Sequence, residues 1–399
     1  MAGIDKKLAL WEQNGLITPD QVDEILAFEN GDNASPNNWW LYSLLVLGSA
    51  IIGLGVISLI AANWANIPDS VKLAADFLLL GSTAAAIIWQ YDKTSGHWFD
   101  ALIMIFLILC LATIGLIAQI YHIHGQWYHG LLLWSVITFP LTIFSRNVFV
   151  RFFWVSLFLH GFVWSCIAFA DQGLGKNFQA MPAIFLFAPL AAAFFYLLTQ
   201  RIKPITHFAS SFYFWFEVAG LVALIAIDLI RSGGDDQTFN IAWYIPSWLV
   251  AALVIGLIVT RNDYSLLNKA LLISALVLLL FYYQPNILFS GHTRYTFAAL
   301  DAVQPVSLWM ADDVRAPLLT TLILFLYAIH AGNCGHHRTF NMITFLIGLR
   351  FVVLYFQAMG GLAATGIGLI VSGLMIIGIA WFWYSSRERL QNWSKRLAS

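Results

Sequence analysis

The chain has 399 residues, of which 60% are hydrophobic and 10% charged, with a net charge of -1. That much apolar side chain exceeds what a soluble fold of this length hides, and disorder, which needs high charge and low hydrophobicity, is excluded too. A near-neutral charge supplies no field for nucleic acid, and Cys110, Cys166 and Cys334 make neither a disulfide framework nor a zinc site.

Residues 1–40 are polar by contrast and predict a short cytoplasmic helical hairpin with a linker over 30–38. A first helix over 6–13 should stop at Asn14-Gly15. A second should start at Thr18, with Thr18 as cap, Pro19 at the first helical position and Gln21 closing a capping box. No apolar core follows Lys6 and Lys7 closely, so this segment does not read as a signal peptide. Gly is not the second residue and no cysteine lies near the C-terminus, so no lipid anchor is expected.

From residue 41 the chain is a series of apolar runs: 41–62, 72–90, 101–120, 130–145, 148–170, 182–200, 212–230, 243–260, 268–283, 316–331, 338–356 and 361–384. Most have the length of a bilayer-spanning helix, about 20 residues. Continuous apolar runs are not the alternating strands of a barrel. The expected fold is therefore an all-α polytopic transmembrane bundle over 41–384, with about twelve spans and a cytoplasmic tail over 385–399. Most of the 20 Lys and Arg fall in the breaks that lie on the same side as the N-terminus. By the positive-inside rule both termini are cytoplasmic.

The break after the first run, Ala61-Ala62-Asn63-Trp64-Ala65-Asn66-Ile67-Pro68, reads as a membrane-surface turn. Asn63 caps a helix end, Trp64 anchors at the interface and Pro68 starts the next helix. Asp76, one turn inside that helix, either faces water, pairs with Lys72 or carries a proton. The third break holds Gln119, His122, His124 and His129. The i,i+2 spacing of His122 and His124 places them on opposite sides of a helix, no carboxylate is near in sequence, and no metal site is expected. A polar interfacial cluster and a pH-responsive group both remain open.

Ionisable residues inside spans are the stronger functional candidates. Glu217 lies in the seventh run, Asp228 three turns on, and Arg350 well inside the eleventh. An arginine in hydrocarbon must snorkel or meet an anion, and Glu217 is one candidate partner. Gly360, Ala364, Gly368 and Ser372 make a smooth stripe on the last run, and Gly53 adds a thin surface to the first. Close helix packing is the plainest reading of both. Trp39, Trp40, Trp64, Trp89, Trp98, Trp127, Trp243, Trp248, Trp309, Trp381 and Trp383 cluster near span ends as an aromatic belt. Walker, dinucleotide, haem-attachment and nucleophile-elbow motifs are absent, so no cofactor is expected.

Leu8-x-x-Trp11…Gly15-Leu16-Ile17-Thr18…Gln21 resembles the start of the bacterial DUF2157 family of predicted membrane proteins. So do Gly48…Gly53-x-Gly55-Val56…Ala61-Ala62-Asn63-Trp64…Ile67-Pro68…Lys72 and Gly115-Leu116-Ile117-Ala118-Gln119-Ile120-Tyr121-His122…Gly125, with Leu133-Trp134 after. The resemblance covers about residues 8–145. It implies a multi-pass protein of the bacterial inner membrane, and a membrane partner carrying a GDYxxLxY-type domain for some members. It implies no catalytic residues. The expected function is binding or transport of a small or lipidic substrate past Asp76, Glu217 or Arg350. One alternative is a non-enzymatic scaffold or sensor whose N-terminal hairpin docks an envelope or membrane protein. Another is an intramembrane enzyme acting on a lipid-linked substrate beside the Gln119–His129 histidines. The lipid bilayer is the one partner all three readings share, and oligomeric state is not legible.

Overall fold

The computed structural model describes residues 8, 11–12, 14–22, 25, 51, 62, 64–91, 96–145, 147–170, 181–232, 241–284, 315–359, 370, 373–374, 377–378 and 381, the side chains of 96–97, 170, 232, 241–242 and 355–359 excepted. The expected first and last spans, with Gly53, Asn63, Gly360, Ala364, Gly368 and Ser372, lie outside these residues or almost so. The chain forms two units, Met1–Ala75 and Asp76–Ser399.

In the first unit the turn at Asn14-Gly15 is a Schellman motif. Gly15 has φ +65°, the Leu16 N–H donates to Trp11 O at 2.9 Å and the Gly15 N–H to Glu12 O at 2.9 Å. A glycine adopts this left-handed conformation without the Cβ penalty other residues meet. The capping box then forms as expected. The Thr18 N–H donates to Gln21 Oε1 at 3.0 Å, and the Gln21 N–H to Thr18 Oγ1 at 3.4 Å. Further on, Trp64–Asn66 forms a 3₁₀ turn. Lys72 pairs with Asp69 at 2.8 Å and sits 4.9 Å from the Trp64 ring centroid. The lysine is thus held at i,i-3 by Asp69, the alternative to the expected Asp76 pairing.

The described helices are α1 (Asp69–Tyr91), α2 (Gly96–Ile120), α3 (Trp127–Phe144), α4 (Val148–Ala170), α5 (Met181–Thr199), α6 (Ala209–Ser232), α7 (Ile245–Val259), α8 (Leu266–Tyr283), α9 (Arg315–Asn333) and α10 (His337–Met359). Among the described residues nine helices are long and apolar enough to cross a membrane, and α7, with 15 residues, is shorter. All ten fall on expected apolar runs. The tally of about twelve rests on two further runs that are largely outside the described residues.

Within the second unit α5 is the hub. It is buried over 61% of its apolar stretch, more than any other described span, and packs against α4, α6 and α7. Its composition explains this: Ala191, Ala192 and Ala193 present so little side chain that neighbouring backbones close in. Pro189 interrupts the same helix and removes one backbone donor. At the α3–α4 contact a Cβ on Gly161 would lie 2.8 Å from Leu131 Cβ and 3.3 Å from Tyr128 O, so only glycine fits there.

Several tryptophans hold the interior rather than the interface. Trp134 Nε1 donates to Leu107 O at 2.7 Å, Trp154 Nε1 to Thr138 Oγ1 at 3.2 Å, and Trp215 Nε1 to Ser156 Oγ at 2.9 Å. Each of these indole N–H groups finds an acceptor, as a donor withdrawn from water must. Trp89, Trp98, Trp127, Trp248 and Trp381 are exposed, in keeping with a belt, whereas Trp243 is buried.

Candidate functional site

One stripe of α6 brings several polar groups to the interior of the second unit. Tyr213, Glu217, Gly220, Leu224 and Asp228 recur at i, i+4, i+7, i+11 and i+15, which keeps them on one helical face. The first four line a cavity of about 150 Å³ enclosed by α5, α6, α8, α9 and α10, with Val254 and Ile258 of α7 and Tyr264 of the α7–α8 loop. Most of its wall is aliphatic, including Leu190, Leu276 and Leu324. Its polar groups are Tyr196, Tyr213, Glu217, Tyr264, Tyr327, His330 and His336. Apart from Glu217 they belong to the helix ends and loops next to Arg201, Arg261 and Arg338.

A second Schellman turn brings His336 there. Gly335 has φ +74°, the His336 N–H donates to Ala331 O at 2.9 Å and the Gly335 N–H to Gly332 O at 3.2 Å. The chain thereby reverses between α9 and α10 within three residues. His336 Nδ1 then lies 3.3 Å from Tyr213 Oη, and Thr339 Oγ1 is also 3.3 Å from that hydroxyl. Thr339 donates its proton to Glu217 Oε1 at 2.5 Å. With that proton committed, Tyr213 is the donor in its contact with Thr339. Tyr327 and Glu217 line the same cavity beside Tyr213. The result is a connected network from His336 to the Glu217 carboxylate.

Around it, the His330 ring stacks on Tyr327 (centroids 6.1 Å apart, 20° between planes) and meets Tyr264 edge-on at 5.4 Å. Arg261 caps the loop with its guanidinium 4.3 Å from the Tyr264 ring centroid. Burial pushes the Tyr264 hydroxyl well above its ordinary range, with Tyr196 adding to the rise and Arg261 opposing it. Burial likewise raises the Cys334 thiol against the pull of Arg261. Both groups are therefore neutral hydrogen-bonding groups near neutral pH rather than anions.

Arg350 does meet an anion, and that anion is Asp228. Arg350 Nε lies 2.8 Å from Asp228 Oδ2 and Nη2 lies 3.1 Å from Oδ1, with the two side chains only 11% and 12% exposed. Tyr282 Oη braces the carboxylate at 3.4 Å and donates to Ala316 O at 2.9 Å. Glu217 and Asp228 are eleven residues apart on α6, about 16 Å along the axis, so one arginine does not serve both. Thr339 and Arg350 are likewise eleven apart on α10. Helices α6 and α10 therefore run parallel and are pegged at two matched levels.

The other sequence candidates are elsewhere. Asp76 lies on α1, where its Oδ2 is buried with no hydrogen-bond partner among the described residues. Gln119, His122 and His124 are exposed at the α2–α3 connection. His122 adopts φ +50° with Nδ1 3.1 Å from Ile120 O, the position a glycine usually takes at a helix end. No group of three or more His, Cys, Asp or Glu placed to hold a metal occurs among the described residues. Sequence reading missed Tyr213, Tyr264, Tyr327, His330 and Thr339. It also missed the buried set at the ends of α2 to α4, where Ser145 Oγ donates to Asp100 Oδ1 at 2.6 Å and Arg151 Nη1 to Ser145 O at 3.4 Å.

Residues 9–151 match the family model of DUF2157, described as a predicted membrane protein. This bears out the resemblance, and the chain is a multi-spanning membrane protein whose activity the match does not define. The cavity, built from residues 189–343, lies wholly outside the matched segment. No curated protein and no solved structure matches the chain.

Proposed function

We propose that the helical bundle binds a small, largely apolar molecule in the Glu217 cavity and is a carrier or receptor for it in the bacterial inner membrane, with the Arg201, Arg261 and Arg338 end cytoplasmic. The supporting observation is the cavity itself: an aliphatic chamber between helices with a few convergent polar groups gathered on one side. That combination is the usual make-up of a ligand pocket. Its size sets the ligand. About 150 Å³ admits a benzene-sized group or a short acyl segment, and excludes a drug-sized body.

Photolabelling of the protein in dodecyl maltoside with a short diazirine-bearing alcohol tests this reading. Label should reach Tyr213, Leu276 or Tyr327 and be lost in Ala275→Phe, which fills the chamber. Label confined to lipid-facing residues such as Leu249 and Leu253, or unchanged by Ala275→Phe, would overturn it.

A scaffold reading has one observation in its favour. The ordered turn of the N-terminal segment leaves Trp11 and Leu16 exposed, at 43% and 71%. Crosslinking from these positions in native membranes that captures no specific protein would remove it.

A further inference from the structure

Among the described residues Glu217 supplies the one acidic side chain of the cavity wall, and no described Lys or Arg lines that wall. Arg350, which faces the same side of α6, is engaged by Asp228 about three helical turns away from Glu217. Arg261 lies behind Tyr264, stacked on its ring and 3.6 Å from Asp263. The hydrogen bond that reaches Glu217 comes from the neutral hydroxyl of Thr339, which Tyr213 contacts in turn. A carboxylate in such surroundings calls for a countercharge, because desolvation strongly disfavours an isolated anion.

The walls beside it are aromatic: Tyr213, Phe216 and Tyr327, with Tyr196 and Tyr264 beyond. Tyr327 lies edge-on to Phe216 at 5.8 Å, and Tyr196 is 5.1 Å from Tyr213. Ring faces attract a cation that has shed its water, and an aromatic enclosure with one carboxylate is the chemistry that recognises alkylammonium groups. Inorganic cations fit less well. They require several oxygen ligands, and this wall offers one carboxylate among hydroxyls and hydrocarbon.

We propose that the cavity takes a small organic monocation of the alkylammonium class, with Glu217 as countercharge and the Tyr213–Phe216–Tyr327 rings as its cage. This rests on the cavity-binding reading and adds the ligand's charge to it. The histidines frame the site: His336 on Tyr213 and His330 between Tyr264 and Tyr327. Neutral, both are compatible with a bound cation. Protonated, either one competes with it for the same negative potential.

The test is calorimetric binding of tetramethylammonium to the full chain in dodecyl maltoside, an uncharged detergent, with tert-butanol as the uncharged probe of similar shape. The wild type should bind tetramethylammonium, and Glu217→Gln, which keeps the volume and the Thr339 hydrogen bond, should weaken binding at least tenfold. Tyr327→Leu should weaken it in parallel, while leaving tert-butanol binding within about twofold. Three results would overturn the cation assignment. In the first, tert-butanol binds as well as tetramethylammonium and Glu217→Gln changes neither. In the second, tetramethylammonium binds equally to wild type and Glu217→Gln. In the third, tetramethylammonium does not bind and infrared spectra show a protonated carboxyl that Glu217→Gln removes. The first leaves the cavity-binding reading standing. Failure of both probes, together with loss of photolabelling, removes both.

Discussion

The Arg350–Asp228 pair gives the sharpest energetic prediction, because the structure separates it from Glu217. Its two contacts, 2.8 and 3.1 Å, lie between side chains almost wholly removed from solvent. At an effective dielectric of about 20, unit charges near 3 Å attract by about 6 kcal/mol before desolvation is subtracted. Desolvation takes back much of this, so the net value of the intact pair is small. Removing one partner, however, leaves an uncompensated buried charge at a cost of about 3–5 kcal/mol. Asp228→Asn and Arg350→Gln should each destabilise by about that amount, and the double variant by clearly less than their sum, with a coupling of about 2 kcal/mol. Tyr282 softens the Asp228→Asn loss slightly, since it keeps Ala316 O and Thr320 as partners. The assay is unfolding in mixed dodecyl maltoside–SDS micelles followed by tryptophan fluorescence. Glu217→Gln combined with Arg350→Gln should be additive within about 0.5 kcal/mol, as expected of sites that share no partner. Coupling at 217–350 larger than at 228–350 would refute the two-level pegging of α6 against α10.

Three further outcomes follow from backbone geometry. Gly161→Ala should destabilise by about 1–3 kcal/mol in the same micelle assay, because its Cβ meets Leu131 Cβ at 2.8 Å and carbonyl oxygen beyond. Gly335→Ala should cost about 1 kcal/mol, since no side chain blocks the space but φ is +74°. It should also loosen the Tyr213–His336 contact, read as a change in His336 imidazole NMR shifts. His122→Gly should instead stabilise by about 0.5–1 kcal/mol, because its φ of +50° is one that glycine adopts without strain; a loss of stability there would assign the histidine side chain a structural role.

The spans were legible because each is a continuous apolar run bounded by polar residues, and ten of them appear as helices near the expected places. The N-terminal turn and cap were legible for a local reason as well: Gly15, Thr18 and Gln21 act within a few residues of themselves. Arg350's need for an anion was readable from the energetics of hydrocarbon, but its partner was not. Choosing Asp228 over Glu217 requires the parallel register of α6 and α10, which no local pattern contains. The cavity was half visible. Glu217 stands out as a carboxylate in a span, whereas Tyr213, Tyr264 and Tyr327 are typical of span ends, and their convergence depends on which helices neighbour one another. One signal was available: the spacing of Tyr213, Glu217, Gly220, Leu224 and Asp228 marks a single interior face of α6. The tryptophans show the converse limit, since Trp134, Trp154 and the partly buried Trp215 are the same residue type as the exposed belt and are set apart by acceptors across the bundle.

The most direct test of the central claim, that the Glu217 cavity is a ligand site for an organic cation, is a crystal of the full chain soaked with tetramethylarsonium. This ion has the shape and charge of tetramethylammonium and carries an anomalous scatterer. The account predicts an anomalous peak inside the cavity, within about 6 Å of the Tyr213 or Tyr327 ring centroid, that is absent in Glu217→Gln crystals. Peaks only at exposed acidic residues such as Asp263, with the cavity unoccupied in wild-type crystals, would contradict it.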